Sequence, residues 1–279
     1  MKNMLLEEIV FYKKEELARK EKALPLNVLI DDLTGMENPR GFERCLRGGP
    51  IAVIAEIKRA SPVKGVLRED FNPLSLATTY EKYGARAISV ITEERYFKGN
   101  PDYLAAVKEA SWLPVLRKDF IVSEYQVYES RCLGADAVLL IASLLEETFL
   151  RHLLEIAASL GMEALVEVHH YVELQRALAA GARVIGINNR DLKSFCVNLS
   201  TTTDLVDAAP AEVLLVSESG INCRNDLLIL EEAGVEAVLI GEALVRSPNP
   251  GDKLSELLGQ PEAEKEGNEL DHVDQNMRD

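Results

Sequence analysis

The chain has little cysteine, a single tryptophan and no long uncharged apolar run. Its four cysteines, Cys45, Cys132, Cys196 and Cys223, are scattered, without a CxxC pair or a histidine at ligand spacing, which argues against disulfides and against a zinc site. The lack of a continuous apolar stretch argues against a transmembrane helix. Acidic residues appear at positions 7 and 8, where a secretory signal would continue into an apolar stretch, so we expect a cytoplasmic protein.

Basic residues are scarce relative to acidic ones. The 279 residues include 31 Lys and Arg against 46 Asp and Glu, a formal net charge of −15, which argues against a general nucleic-acid binder. Residues 261–279 hold seven acids and two bases, so they supply −5 of this charge, and they contain almost no large apolar side chains. We therefore expect a disordered acidic tail there. An anionic ligand would need a local cluster of bases elsewhere.

Eight short apolar runs recur along the chain and indicate strands. Each is rich in Val, Ile, Ala and Leu and is nearly continuous, which is typical of strands buried on both faces of a parallel sheet. Helical patterns separate them, and a parallel pair of strands requires such a crossover. The runs are 51–56, 87–91, 113–116, 137–141, 164–168, 184–187, 213–216 and 237–240, and the clearest helical patterns are 124–133, 145–160, 171–180 and 224–233.

Four of the predicted helices end in a glycine that leads into the next strand. Gly84, Gly134, Gly181 and Gly234 hold this position, and glycine adopts the left-handed conformation that ends a helix with little strain. The repetition indicates one βα unit used many times. It predicts an α/β fold, a (β/α)8 TIM barrel over residues 49–260. A doubly wound open sheet is the alternative, but no Gly-rich dinucleotide fingerprint follows the first strand.

An N-terminal helical extension is expected in residues 1–48, ahead of the first strand. Leu5, Ile9 and Leu17 recur at helical spacing and predict an amphipathic helix. A linker beginning at Pro25 and a short second helix near Phe42 complete the segment. It is too short for a separate domain, so we expect it to cap the barrel.

Polar residues gather where the strands end, and the chemistry of such barrels lies at the C-terminal ends of the strands. Lys118 follows a buried run. Glu167 lies between Val166 and Val168, so its side chain is expected to point inward, and Glu56 joins both if the barrel closes. A buried carboxylate beside an ammonium group either performs acid–base chemistry or forms a structural ion pair, and this pattern leaves both open.

Small residues follow the last two predicted strands. Ser219-Gly220 and Gly241-Glu242 precede helices, and barrels often bind phosphate there through backbone N–H groups. A serine–glycine pair is usually only a turn. Small residues in both loops together favour a phosphate-binding site.

These features resemble the indole-3-glycerol phosphate synthase family. The resemblance covers roughly residues 4–258, including a leading helix with a Leu-Glu-Glu-Ile-Val pattern. The first motif below, the Lys-Asp-Phe motif and the Asn-Asn-Arg-Asp-Leu motif are highly specific. The motifs are EIKRASPVKG (56–65), LRKDFI (116–121), LVEV (165–168), GINNRDL (186–192), SESGI (217–221) and LIGE (239–242).

The resemblance implies a reaction in tryptophan biosynthesis. The substrate would be 1-(2-carboxyphenylamino)-1-deoxyribulose 5-phosphate, which closes to indole-3-glycerol phosphate with loss of CO₂ and water. Lys118 corresponds to the general acid that protonates the ketone oxygen. Glu167 and Glu56 match the catalytic carboxylates, with Lys58 beside them. The later loss of the hydroxyl needs a second acid, which the resemblance leaves open.

The resemblance also implies binding residues. This sequence has Val63 and Glu242 where the family often has serine, so we expect the Glu242 carboxylate to point away from the phosphate while its N–H donates. Substrate would be held by Ser61, Phe120, Asn188, Arg190, Glu218 and Ser219, and phosphate by Lys58, Ser61, Gly220, Gly241 and Glu242.

No cofactor and no metal are implied. His169 and His170 follow the fifth strand without an evident third ligand, so we interpret them as residues at a helix start.

An Amadori isomerase would need a Cys/Asp pair at the rim, and a non-catalytic phosphate-binding barrel would be expected to lack Lys118 or Glu167. We expect a phosphorylated small-molecule substrate, no nucleic-acid or membrane partner, and a monomer or weak homo-oligomer with other tryptophan-pathway enzymes as candidate partners.

Overall fold

The computed structural model describes residues 4–191 and 195–260, and its centre is a closed barrel of eight parallel strands. The last strand pairs with the first, with Ala237 opposite Ala52, so the sheet is closed rather than open. This confirms the predicted TIM barrel. The strands are β1 (Ala52–Ile57), β2 (Ala87–Ile91), β3 (Val115–Lys118), β4 (Ala137–Ile141), β5 (Glu163–Val168), β6 (Val184–Asn188), β7 (Leu214–Glu218) and β8 (Ala237–Ile240).

Helices connect the strands around the outside of the barrel. A short antiparallel hairpin, Ala60–Ser61 with Gly65–Val66, lies between β1 and the next helix. Two 3₁₀ turns lie at Ala142–Leu144 and Val206–Ala208. The helices are α1 (Met4–Ala23), α2 (Leu26–Asp32), α3 (Phe42–Leu46), α4 (Pro73–Lys82), α5 (Asp102–Ala110), α6 (Glu124–Cys132), α7 (Glu147–Ser159), α8 (Tyr171–Ala180), α9 (Ser200–Thr203), α10 (Arg224–Glu232), α11 (Glu242–Val245) and α12 (Pro250–Leu258).

The glycines predicted to end helices do so in a left-handed conformation. Gly84, Gly134, Gly181 and Gly234 have φ angles of 91°, 86°, 95° and 92°. A side chain at these angles is strained, whereas glycine turns the chain toward the next strand without that penalty. The repeated glycine therefore marks the same structural point in four βα units.

The barrel interior is apolar at one end and ionisable at the other. Successive residues of a strand point to opposite faces, so alternate positions share the interior. In β1 the inward series Ala52, Ile54 and Glu56 begins in the apolar core cluster and ends in a carboxylate. In β5 Leu165 and Glu167 repeat this order. The apolar layers fill the N-terminal half of the barrel and leave the ionisable layer at the C-terminal mouth.

The N-terminal segment contacts both ends of the barrel. Ile9 of α1 is buried and lines a cavity at the C-terminal mouth. Phe42 and Leu46 of α3 pack against the apolar layers at the opposite end. Between them, α2 packs beside α6.

The residues after Pro25 differ from the sequence-based expectation, which was a linker. Helix α2 begins at once, at Leu26. Pro25 has φ −63°, which suits a helix entry, and its missing N–H is not needed there. No helix in residues 4–191 and 195–260 is long and apolar enough to cross a membrane. The expected acidic tail, residues 261–279, lies outside the described residues.

Candidate active site

Four ionisable side chains from four strands meet at the centre of the barrel mouth. The Nζ of Lys118 on β3 lies 3.0 Å from Glu218 Oε2 on β7, across the barrel. It lies 3.5 Å from Glu167 Oε2 on β5 and 3.9 Å from Glu56 Oε2 on β1. All three carboxylates are at least 95% buried, since their exposed side-chain fractions are 1%, 5% and 4%. One ammonium group therefore faces three carboxylates in a region that water hardly reaches.

Two glycines make room for these carboxylates. A Cβ at Gly186 would lie 2.1 Å from Glu218 Oε1, and a Cβ at Gly241 would lie 2.2 Å from Glu56 Oε1. Both distances are far below van der Waals contact. Neither glycine has a positive φ, so space and not backbone conformation requires them. Gly241 thus shapes the ionisable cluster as well as the loop after β8.

The charges in the cluster are unequal. Burial by itself lowers the pKa of Lys118, but Glu218, Glu167 and Glu56 together raise it above its ordinary value, so the amine stays protonated. Burial raises the pKa of Glu56, and the opposing charges of Lys58 and Lys118 bring it below its ordinary value. Lys58 also forms a direct ion pair with Glu56. Burial acts in the same way on Glu167, yet Lys118 and His169 lower the pKa of Glu167 to about 2.

Glu218 is the exception among the three carboxyl groups. Burial raises its pKa to about 7. Lys118 lowers this pKa, but the negative charge of Glu167 offsets part of that effect. Its Oε1 has no hydrogen-bond partner among the described residues. Glu218 is therefore the carboxyl group of the cluster that can both hold and release a proton near neutral pH.

The cluster opens into a cavity of about 660 Å³. One part of the wall is apolar and includes Leu5 and Leu6 of α1, together with Phe97 and Phe120, whose ring centroids are 6.1 Å apart. These rings follow β2 and β3. The loops after β7 and β8 form another part of the wall, on the far side of the barrel from β3. The cavity can thus hold a molecule with an aromatic end and a polar end.

The loops after β7 and β8 expose backbone groups to the cavity. Ser219 and Gly220 have φ angles of 67° and 87°, so two successive residues are left-handed in the first loop. In the second, Glu242 lines the cavity, and the orientation of its carboxylate relative to a bound phosphate stays a prediction. Its carboxylate forms an ion pair with Lys64 of the β1 hairpin, which also lines the cavity. The ion pair joins the hairpin after β1 to the loop after β8 at the rim of the cavity.

A buried ion pair attaches α1 beside the end of β3. Lys13 Nζ lies 3.0 Å from Asp119 Oδ1, and both side chains are almost fully buried. Burial raises the pKa of Asp119, but Lys13 and Arg117 lower it to about 2. We did not predict Lys13 from the sequence. It lies four residues from both Ile9 and Leu17, so a lysine on the apolar stripe of α1 was the available signal.

The loop after β2 is shaped by Glu93, which was also not predicted as a functional residue. Its buried carboxylate accepts hydrogen bonds from the backbone N–H groups of Arg95, Tyr96 and Phe97, at 3.0, 2.7 and 2.9 Å. These bonds fold the loop so that the Phe97 ring reaches Phe120. A carboxylate directly after a strand was the only sequence signal, and it does not distinguish a loop scaffold from a catalytic group.

The family model described as indole-3-glycerol phosphate synthase matches residues 6–257. A protein of that name from Caldanaerobacter subterraneus subsp. tengcongensis is 49% identical over 243 residues, which cover 87% of this chain and 94% of the relative. Another from Carboxydothermus hydrogenoformans is 48% identical over 263 residues, which cover 91% of this chain and all of the relative.

The chain belongs to the indole-3-glycerol phosphate synthase family. More distant solved structures share only the fold. The N-acetylmannosamine-6-phosphate 2-epimerase from Clostridium perfringens aligns with a TM-score of 0.59 at 14% identity, over 76% of this chain and 94% of its own. Thiamine phosphate pyrophosphorylase from Pyrococcus furiosus aligns with a TM-score of 0.57 at 16% identity, over 75% and 94%.

The structure of this family member brings the residues singled out from the sequence to one place. Those named for catalysis, for substrate binding and for phosphate binding all line the same cavity. They come from the ends of six different strands and the loops that follow them, so only closure of the barrel makes them neighbours. They are Glu56, Lys58, Ser61, Lys118, Phe120, Glu167, Asn188, Arg190, Glu218, Ser219, Gly220, Gly241 and Glu242.

Proposed function

We propose that the cavity is the site of indole-3-glycerol phosphate synthesis. The reaction closes 1-(2-carboxyphenylamino)-1-deoxyribulose 5-phosphate to indole-3-glycerol phosphate, CO₂ and water, with net uptake of one proton. One observation carries the assignment of roles. A protonated lysine lies among three buried carboxylates, of which one, Glu218, has a pKa near neutrality. This arrangement supplies two acids at one point, and the reaction needs two.

The proposed orientation of the substrate follows the two parts of the cavity wall. The phosphate lies at the backbone N–H groups of Gly220, Gly241 and Glu242, with Ser61 and Lys58 as further donors. The carboxyphenyl ring lies toward Phe120 and its neighbour Phe97. The ketone of the ribulose chain then falls between them, near Lys118. Asn188, Arg190 and Ser219 line the wall around the chain and hold its polar groups.

In the proposed first step, the ring carbon that carries the carboxylate attacks the ketone carbon. Electrons from the anilino nitrogen drive the attack, and the ketone oxygen takes a proton from Lys118. The C–CO₂ bond then breaks, and its electron pair restores the aromatic ring. Glu167 and Glu56 stabilise the protonated form of Lys118 before the step, because both are held as carboxylates within 4 Å of it. Lys58 keeps Glu56 ionised.

In the proposed second step, the new hydroxyl leaves as water. It needs a proton, and the five-membered ring loses one as its double bond forms. Glu218 is suited to this exchange since its pKa lies near neutrality and its Oε1 is unpaired within the described chain. We assign it as the second acid–base group. This extends its earlier assignment as a substrate-binding residue.

The test of this assignment is a comparison of Glu218→Gln with Lys118→Met on the same substrate. We expect Glu218→Gln to bind the substrate with little change in KM and to release CO₂ faster than it forms indole. Lys118→Met should release neither CO₂ nor indole, because it stops the first step. Equal loss of both signals in Glu218→Gln would contradict a separate role for Glu218.

We further propose that the enzyme works in the cytoplasm as a monomer or weak homo-oligomer, with residues 1–48 as the cap of its barrel. Burial of Ile9 at the cavity and of Lys13 against Asp119 supports the role of the cap. Association with other tryptophan-pathway enzymes would allow the product to pass directly to the next enzyme. Sedimentation velocity of the purified chain, alone and with such enzymes, tests the assembly state.

A further inference from the structure

A histidine outside the proposed catalytic set lies directly behind Glu167. The Nε2 of His169 is 3.3 Å from Glu167 Oε1, while Lys118 approaches the other oxygen, Oε2. The contact with His169 is an ion pair and not a hydrogen bond, because Nε2 is close to Oε1 but has no hydrogen-bond partner among the described residues. The two oxygens of Glu167 thus face two different cations. His169 contacts the oxygen that the proposed reaction does not use.

The orientation of the His169 ring is set by α8. Glu173 Oε2 accepts hydrogen bonds from both the backbone N and the Nδ1 of His169, at 2.7 and 3.1 Å. With Nδ1 held by Glu173, Nε2 lies on the side of the ring near Glu167, 3.3 Å from Oε1. The sequence had suggested only that His169 and His170 begin a helix. That is confirmed for His170, the N-cap of α8, whereas His169 lies between two carboxylates.

Both carboxylates favour the charged imidazole. The exposed fraction of the His169 side chain is 11%, and its described charged neighbours are Glu167 on β5 and Glu173 on α8. Burial by itself lowers the pKa of His169, but these two carboxylates raise it to about 10. His169 is therefore a cation throughout the range in which such an enzyme works.

We propose that His169 is a positioning residue that orients Glu167 and keeps it ionised, through a Glu173–His169–Glu167 chain anchored in α8. The proposal rests on the proposed function, in which Glu167 is a catalytic carboxylate. Other groups that face Glu167 are Lys118, Asn188 and the two remaining carboxylates, Glu56 and Glu218. Lys118 opposes the repulsion from those carboxylates on one side, and His169 opposes it on the other.

The experiment separates charge from orientation with two substitutions at one position. His169→Gln places an amide N–H near the position of Nε2 and loses the charge, while His169→Leu loses both. His170→Asn is the matched control, because His170 is exposed, contacts Glu173 but not Glu167, and asparagine also caps helices well. The readouts are kcat, KM, the pH profile of kcat/KM, and the melting temperature.

We expect His169→Leu to lower kcat by about 10- to 100-fold with KM changed less than threefold, since misplacement of a catalytic group acts on the transition state. Removal of the positive charge raises the pKa of Glu167. As the pH is lowered, activity should therefore fall at a higher pH than in the wild type. The acid limb should move up by roughly one unit in both substitutions. His169→Gln should recover most of kcat above that limb, and His170→Asn should match the wild type.

A purely structural role would change the melting temperature alone. The proposal is overturned if both His169 variants keep the wild-type kcat and acid limb. If His169→Leu fails to fold, His169→Gln decides by the same two readouts, kcat and the position of the acid limb. Glu167→Gln, measured in parallel, distinguishes the two failures. An inactive Glu167→Gln with normal His169 variants rejects only this inference, and an active one rejects the proposed function.

Discussion

Replacement of Lys118 by methionine should stop turnover and make stability depend on pH in a new way. Methionine keeps most of the volume of the side chain and removes its charge. For turnover, loss of a general acid lowers kcat by about 10²- to 10⁴-fold. For stability, the effect depends on which carboxylate loses its only cation. Glu56 keeps Lys58, and Glu167 keeps His169. Glu218 keeps no cation among the described residues.

The size of the stability effect follows from the pKa of Glu218. It is about 7 in the wild type, above its value in the unfolded chain, so the folded state binds the proton more tightly. Such a group destabilises the fold increasingly as pH rises, until the pH passes the folded pKa. In Lys118→Met this pKa rises further. The penalty therefore continues to grow above pH 7, by about 1.4 kcal/mol per pH unit, where that of the wild type levels off.

Urea unfolding at pH 6, 7.5 and 9 measures the difference. We expect wild type and Lys118→Met to differ least at pH 6 and to differ by up to about 3 kcal/mol more at pH 9. Lys14→Met is the control, because Lys14 is exposed on α1 and its loss should leave the two curves parallel. Parallel curves for Lys118→Met would refute the account of Glu218. Retention of more than a few per cent of kcat would refute the role of Lys118.

Three further changes test other parts of the site. Gly241→Ala should lower kcat and not only raise KM, since its Cβ would lie 2.2 Å from Glu56 Oε1; an unchanged kcat in steady-state assays would show that Glu56 has room to move. Glu242→Ser removes a negative charge from the loop that we propose binds phosphate, so inorganic phosphate should inhibit roughly threefold to tenfold more tightly, and an unchanged inhibition constant would place the phosphate elsewhere. Lys13→Met should destabilise the fold at pH 7 by less than the about 3–5 kcal/mol expected for an unpaired buried charge, because Asp119 loses Lys13 but keeps Arg117. Because the pKa of Asp119 is lowered to about 2, that loss should shrink as pH falls below 4, which melting curves at pH 7 and 3 can check.

Much of this protein could be predicted from local sequence pattern. Eight apolar runs with crossovers determine a parallel sheet, and the repeated glycines at Gly84, Gly134, Gly181 and Gly234 determine where each helix turns back. The alternation of a strand also determines that Glu167 points inward once Leu165 does. These predictions succeed because hydrophobic periodicity and backbone conformation act over a few residues. The helix after Pro25 was missed because proline suits a helix start as well as a linker.

The character of the cluster at the barrel mouth depended on tertiary structure alone. Lys118 and Glu218 are 100 residues apart and approach to 3.0 Å only because β3 and β7 face each other across a closed barrel. The raised pKa of Glu218 comes from burial and from neighbours on other strands, which no local pattern encodes. Tertiary structure alone also brings Lys64 to Glu242. It also distinguishes the two adjacent histidines, since His169 is buried against Glu167 while His170 is solvent-exposed. Charge interactions and desolvation act through space, so they are set when the strands assemble and not before.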